Sequence, residues 1–476
     1  MQRSYFDTKS PIMALATPPG RSALAVIRLS GENTIALFSK CFSYPEKIQN
    51  ASGYTLHYGY FLEPKSGEKI DEIMVAVFRK PHSFTGDDSI ELSCHGSPAV
   101  INRILSILEL LGCKPALPGE FSFRSFINGK RDLVETEAIN ELTGARSETA
   151  RSDALLRLTG ILSQYFSELR KQMLDLLAEI EARLDYPEDE GPDLEIQWIE
   201  RLHQYSKELQ SVSKGYIGGR LRQEGALIVL AGRPNAGKSS LFNLLVREER
   251  AIVSPEPGTT RDWIETWLEI AGYPVRLVDT AGLRPTQAVI EAEGVRRSIE
   301  LIHRSDIVLY IVDGEVGLLE EDLQFLQQFP SALKLWNKTD SLRCKDIPEG
   351  WIGITTKALS TAPTLEKAIF FLLEKISNPT SLEISEMRSD LADYQNEKHQ
   401  KPRENAVAIA EERQKMLVDA CYESIEHAIF DLKQGSALDI IALDIREAAN
   451  YLGEITGELV NEEVFDRIFS KFCLGK

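Results

Sequence analysis

The spacing of apolar positions divides the chain into four segments. Residues 1 to about 130 carry short runs of β character, Ala23-Leu-Ala-Val-Ile-Arg-Leu29 and Ile73-Met-Val-Ala-Val-Phe78, separated by turns containing Gly and Pro. Such runs predict a compact α+β domain. From about 133 to 215 the period lengthens. Leu155, Leu158, Leu162, Phe166, Leu169, Met173, Leu176, Ile180 and Leu184 recur at three- and four-residue steps, one apolar stripe on one long helix. Tyr186-Pro-Glu-Asp-Glu-Gly-Pro192 ends that helix, since two prolines and a glycine cannot continue its hydrogen-bond ladder. Between 225 and about 380, strand candidates Ala226–Ala231, Val275–Val278, Ile307–Val312, Leu333–Trp336 and Ile352–Ile354 alternate with amphipathic stretches. This is the pattern of a doubly wound α/β domain with a mainly parallel sheet. Residues 385 to 404 are polar, and the helical period returns from about 405 to 470. Helices on the two sides of the α/β unit can bury their stripes only against each other or a partner. The expected plan is therefore multidomain. An α+β domain covers 1–130, an all-α domain is split over 131–223 and 385–476, and an α/β domain is inserted at 224–384.

Length agrees with this plan, because 476 residues exceed one hydrophobic core and suit about two to four domains. Hydrophobic residues at 43% and charged residues at 26% are ordinary globular chemistry. No apolar run approaches the roughly 20 residues that span a bilayer. The start, Met1-Gln-Arg-Ser-Tyr-Phe-Asp7, lacks the pattern of a secretory signal, so a cytoplasmic protein is expected. Six cysteines, at 41, 94, 113, 344, 421 and 473, form no CxxC pair and fit a reducing compartment. A net charge of −18 argues against indiscriminate nucleic-acid binding and leaves room for a local basic surface that docks an RNA.

The candidate chemistry is concentrated in the third segment. Gly232-Arg-Pro-Asn-Ala-Gly-Lys-Ser239 matches GxxxxGK[ST] between a strand and a helix. Its glycines let backbone amides face a β-phosphate, and the helix start adds positive potential. Lys238 can reach β- and γ-phosphate oxygens, and the Ser239 hydroxyl suits magnesium. Asn235, Ala236, Gly237, Lys238, Ser239 and Ser240 are the expected phosphate-side residues. Asp279-Thr280-Ala281-Gly282 follows a second strand, with Asp279 placed to hold magnesium through water and the Gly282 amide to sense the γ-phosphate. In Asn337-Lys338-Thr-Asp340, the Asp340 carboxylate can accept from both N1–H and the 2-amino group of guanine. Adenine would leave it unpaired, a penalty that discriminates sharply, so GTP rather than ATP is expected. Thr355, Thr356 and Lys357 occupy the place of a Ser-Ala-Lys loop, and Thr260 is the candidate second magnesium-ligating hydroxyl. Leu283 stands where a water-orienting glutamine is found in Ras-like GTPases, leaving Glu291 and Glu293 as acidic candidates. Cys94-His95 reads as structural, since neighbours on a strand face opposite sides.

Together these motifs resemble the MnmE (TrmE) family of tRNA-modification GTPases, of the potassium-activated TrmE-Era-EngA type, over nearly the whole chain. Its marks are Thr17-Pro-Pro-Gly-Arg21, Pro118-Gly-Glu-Phe-Ser-Phe-Arg124, Gly258-Thr-Thr-Arg-Asp262, Asp279-Thr-Ala-Gly-Leu-Arg284, Glu454-Ile-Thr-Gly-Glu458 and Phe472-Cys-Leu-Gly-Lys476. The resemblance implies a folate-binding, dimerising N-terminal domain, a discontinuous helical domain and an inserted G domain. It implies a homodimer and a partner, MnmG (GidA), that carries FAD and uses NADH. It also implies a 5-formyl- or 5,10-methylene-tetrahydrofolate donor and a 5-carboxymethylaminomethyl or aminomethyl group on the wobble uridine of certain tRNAs. By position, Asn235, Ser254, Glu256 and Thr259 would surround potassium, with Ser254 and Thr259 also beside GTP. That ion would supply the charge an arginine finger gives elsewhere. Glu291 would orient the attacking water, Arg28, Glu91, Lys130 and Lys476 would bind folate, and Cys473 would serve the modification. The rival reading is a regulatory GTPase switch in ribosome assembly. No RNA-binding GXXG clamp accompanies it here, and the Cys-Leu-Gly-Lys end has no purpose in it. A vestigial scaffold would need defective phosphate-binding residues, and these are intact.

Overall fold

Alternating apolar and polar side chains build a first sheet from β1 (Ile12–Leu15), β2 (Leu24–Ser30), β3 (Thr55–Leu62), β4 (Lys69–Phe78), β5 (Ser89–His95) and β6 (Lys114–Pro115). The computed structural model describes residues 5, 7–185, 194–246, 264–279, 299–357, 361–377, 408–459, 462–472 and 475. The strand order is β3-β4-β5-β2-β1-β6, antiparallel throughout except between β1 and β6. Ile73, Val75 and Val77 of β4 turn inward with Ile27 and Leu29 of β2, and helices Thr34–Ser39 and Pro98–Leu110 close that core. Register sets Arg28 of β2 directly opposite Glu91 of β5.

The second sheet comprises β7 (Ala226–Ala231), β8 (Ile264–Ile270), β9 (Tyr273–Asp279), β10 (Ile307–Asp313), β11 (Leu333–Asn337) and β12 (Ile352–Gly353). Its order is β12-β11-β10-β7-β9-β8, and every pairing is parallel except β8 with β9. All seven residues of β10 are buried. Leu309 and Ile311 enter one apolar cluster with helices Lys238–Leu245 and Thr361–Ser377, while Val308, Tyr310 and Val312 enter another with Phe325 of helix Glu320–Gln328. A strand covered on both faces reads as a continuous apolar run, which is why β10 is plain in the sequence. The edge strand β8 is not among the strands the sequence predicted. Its Ile-Glu-Thr-Trp-Leu-Glu-Ile alternation is the signal that could have found it.

The single helix expected from the 155–184 stripe is instead two, Glu148–Leu158 and Ile161–Asp185. Gly160, at φ 84°, closes the first by donating its N–H to the Arg157 carbonyl at 3.0 Å. Such a left-handed cap interrupts the backbone without disturbing the apolar spacing, so periodicity alone runs straight through it. Helix Leu194–Glu224 buries Trp198, Leu202, Tyr205 and Leu209. Helix Glu412–Gln434 packs along it, with Ser213 donating to Asp419 at 2.7 Å. At Gly219 a Cβ would lie 2.2 Å from the Ile409 carbonyl oxygen. These two helices, from either side of the second sheet in sequence, thus cover each other. The chain forms two compact units, one of Met1–Asn140, Arg157–Asp175 and Ala449–Lys476, the other of Glu141–Leu156 and Leu176–Ala448. Among the described residues no helix is long and apolar enough to cross a membrane.

Candidate functional site

β7 delivers the chain to Gly232, which has φ 137° and passes so near β10 that a Cβ would stand 2.2 Å from the Ile311 carbonyl oxygen. Gly237, at φ 105°, begins helix Lys238–Leu245, and a Cβ there would come within 2.1 Å of Asn337 Nδ2. Both positions therefore require glycine. Between them Asn235 takes φ 63° and is exposed, while Ala236 is buried. The Lys238 ammonium folds back over the loop, donating to the carbonyls of Gly232 at 2.7 Å and Arg233 at 2.9 Å. Burial holds its pKa below the ordinary lysine value, opposed by the charge of Asp279. Ser239 donates its hydroxyl to Asp279 at 2.8 Å, and Asp279, at the end of β9, is buried. Ser240 follows, exposed, on the same first helical turn.

The base-reading segment leaves β11. Asn337 is buried and donates through Nδ2 to the Ala236 carbonyl at 2.8 Å, tying this segment to the phosphate loop. Lys338, at φ 64°, reaches Asp313 at 2.6 Å. Asp340 accepts from Thr355 Oγ1 at 2.7 Å and from Lys357 Nζ at 2.9 Å, and Lys357 followed by Thr355 holds its carboxyl below the usual range. Thr361 supports the loop by donating to the Thr355 carbonyl at 2.8 Å. The predicted residues Thr355 and Lys357 thus converge on Asp340, with Thr356 between them in sequence.

One network was not foreseen. Arg233 donates to Asp322 at 3.0 Å and to the Gly317 carbonyl at 2.8 Å, and Tyr310 donates to the same fully buried Asp322 at 2.8 Å. Arg233 is thereby committed to anchoring the loop. Its partner is distant in sequence, so no local motif marks the pair. Ser254, Glu256, Thr259, Thr260, Thr280, Ala281, Gly282, Glu291, Cys473 and Lys476 lie outside the described residues.

On the first sheet, Arg28 and Glu91 meet at 2.7 to 2.8 Å. The guanidinium lies over the rings of Phe84 and Phe121, 5.4 and 5.7 Å from their centroids, and donates to the Gly475 carbonyl at 3.1 Å. The residue next in sequence to that carbonyl is Lys476. Arg131 rests on the same Phe84 ring at 5.8 Å. Its neighbour Lys130 is exposed at the rim of a cavity of about 580 Å³ shared with Phe126, Glu135, Thr456 and Phe465. Cys94 is buried, its thiol pushed up to about 11 by burial and then by Asp71, while exposed His95 pairs with Asp71 at 2.7 Å. The adjacent cysteine and histidine face apart, as strand alternation requires.

Known proteins resemble this chain along nearly its whole length. The family model described as MnmE helical domain matches residues 133–473, and the one described as GTP-binding protein TrmE N-terminus matches residues 11–130. The tRNA modification GTPase MnmE of Borrelia recurrentis is 37% identical over 474 residues, spanning 99% of each chain. Its counterpart in Geobacillus kaustophilus is 36% identical over 488 residues, again with 99% of each covered. That of Aquifex aeolicus is 36% identical over 475 residues, covering 98% of this chain and 100% of that protein.

Proposed function

This chain belongs to the MnmE family of tRNA modification GTPases, and from that membership we propose how it works as a GTP hydrolase. It acts in the cytoplasm as a homodimer whose G domains meet, activated by potassium. With an FAD-carrying, NADH-using MnmG partner it installs a 5-carboxymethylaminomethyl or aminomethyl group on the wobble uridine of tRNA. The carbon comes from a 5-formyl- or 5,10-methylene-tetrahydrofolate held on the 1–130 domain by Arg28, Glu91, Lys130 and Lys476. The helical domain (131–223 and 385–476) carries the G domain (224–384) as an insertion.

Asp340 carries the reading. Its carboxylate is fixed by Thr355 and Lys357 at the end of β11, and the same segment is bound to the phosphate loop through Asn337 and Ala236. A two-acceptor carboxylate in that place matches the N1–H and 2-amino edge of guanine. On the phosphate side, Lys238 exchanges two neutral carbonyls for β- and γ-phosphate oxygens, a charge-assisted gain. Ser239 and Asp279, with oxygens 2.8 Å apart, are hard donors that fit magnesium. Ser239 would hold the ion directly with Thr260, and Asp279 through water. Bound there, magnesium neutralises charge on the transferring phosphoryl group. Asn235 offers its amide oxygen to potassium alongside Ser254, Glu256 and Thr259, the Thr280 to Gly282 segment follows the γ-phosphate, and Glu291 orients water. Cys473 serves the tRNA chemistry.

The test is Asp340→Asn. Its amide can donate to the additional oxygen of xanthine and can no longer accept two guanine hydrogens. Binding assays with both triphosphates should show preference moving from GTP to xanthosine triphosphate. Preference for GTP equal to that of the parent protein refutes the base-reading role.

A further inference from the structure

Trp267 of β8 stands where separate parts of the second unit meet. The guanidinium of Arg146, from the connection between helices Leu133–Gly144 and Glu148–Leu158, lies 4.0 Å from its ring centroid. Its Cζ3 atom also crowds Gly225, where a Cβ would come within 2.7 Å. Gly225, at φ 88°, is the single residue between helix Leu194–Glu224 and β7, the point where the helical flank becomes the nucleotide-binding sheet. Three residues beyond Arg146, Thr149 donates its hydroxyl to the carbonyl of Gly272. Gly272 and Ala271, at φ 89° and 49°, form the two-residue turn of the β8–β9 hairpin, whose left-handed pair matches the twist of the strands. The segment carrying Arg146 and Thr149 therefore meets this hairpin at its tip and at Trp267.

The hairpin leads to the chemistry. From the tip, β9 runs about 20 Å to Asp279, in parallel register with β7 up to the pair Leu230 and Asp279. Asp279 in turn accepts the Ser239 hydroxyl. β9 thus joins the gripped tip to the carboxylate through one continuous, paired strand. Burial and then the nearby Glu148, which is itself paired with Arg151, raise the pKa of Glu269 on β8 above its usual value.

We propose that Arg146 and Thr149 are positioning residues for GTP hydrolysis, acting on Asp279 through the β8–β9 hairpin. Trp267 sits on that same hairpin, so it reports any difference in the hairpin's position between nucleotide states. The role of Arg146 and Thr149 builds on the placement of Asp279 in the nucleotide site, and GDP binding by the parent protein, measured alongside, checks that placement separately.

The experiment compares full-length Thr149→Val, Thr149→Ser and Arg146→Ala with the parent in magnesium and potassium chloride. The valine variant keeps the size of the side chain and removes its hydroxyl. For Thr149→Val and Arg146→Ala, kcat should fall about threefold to tenfold while GDP affinity stays within about twofold. Thr149→Ser should hold the parent rate. The fluorescence of Trp267, taken as the difference between parent and Trp267→Phe, should differ between GDP and a non-hydrolysable GTP analogue, and that difference should vanish in Arg146→Ala. Parent-like kcat in both variants, with a Trp267 signal indifferent to nucleotide, overturns the proposal. A parallel loss of kcat and GDP affinity that tracks a fall in Tm also overturns it, because that marks the contacts as holding the fold and nothing more.

Discussion

The two sheets build sites in opposite ways. On the second sheet the nucleotide site is mainly backbone. Gly232 and Gly237 take left-handed conformations against neighbouring atoms, a helix begins at Lys238, and Asn337 fastens the base-reading loop to the Ala236 carbonyl. On the first sheet the Arg28 and Glu91 site is made of side chains, from strands 63 residues apart in sequence that register brings face to face. A backbone site needs contiguous residues of fixed type and therefore writes a motif. A side-chain site needs only a shared face, and its members can come from anywhere that pairs.

That contrast breaks most visibly if the glycines are replaceable. Gly232→Ala places a methyl group 2.2 Å from the Ile311 carbonyl oxygen, at a backbone φ that alanine avoids. The loop must move away from β10, taking its amides off the phosphates. A displacement of this size costs about a hundredfold in nucleotide affinity, to be read by titration with a fluorescent GDP. Affinity within a few fold of the parent would mean that side chains, chiefly Lys238, hold the nucleotide and that the loop backbone is secondary.

The same contrast explains what could be read from the chain beforehand. β7 and β10 were legible because strands buried on both faces are unbroken apolar runs. Asn337, Asp340 and the phosphate loop were legible because each belongs to a contiguous run of fixed residue types, even where its partner is distant. Residues whose meaning lies only in a distant partner were not. Arg233 with Asp322, and Arg146 with Trp267, are joined by packing alone. Arg28 and Glu91 read as surface charges without the resemblance, yet the Arg28 guanidinium lies over the rings of Phe84 and Phe121. Gly160 was invisible for a related reason, since its effect is on the backbone while the apolar spacing continues around it.

Glu91→Gln sharpens the side-chain half of the comparison. The neutral amide keeps the size and the strand register but leaves Arg28 without a charged partner. Binding of a tetrahydrofolate derivative, followed by calorimetry, should weaken about tenfold, the worth of one hydrogen bond to a charged group. Stability should fall by only roughly 0.5–1 kcal/mol, because the pair is partly exposed and screened by solvent. GTP turnover should be unchanged. Full folate affinity in this variant would leave Arg28 and Glu91 as a structural cross-strand pair.

Asp71 and His95 supply the control, a charged pair on the same sheet to which no ligand role is assigned. The His95 ring donates to Asp71 at 2.7 Å, and the His95 backbone N–H donates to the other carboxylate oxygen at 2.8 Å. The hydrogen bond to Asp71 and then its charge raise the imidazole pKa above the ordinary 6.5, with Glu72 adding a little. A raised folded-state value means that the fold favours the imidazolium. The pair's contribution is fully present below pH 6.5 and is lost as pH rises through the folded value. The His95 ring signals, followed by NMR, should therefore titrate above 6.5, and Asp71→Asn should bring the midpoint back toward that value. GTP turnover should not respond to Asp71→Asn, since neither residue belongs to the nucleotide-binding motifs. A parent midpoint at or below 6.5 would show that adjacent strands can bring opposite charges within reach without coupling them. The Arg28 and Glu91 contact would then need the aromatic walls of Phe84 and Phe121, rather than strand pairing alone, to account for its closeness.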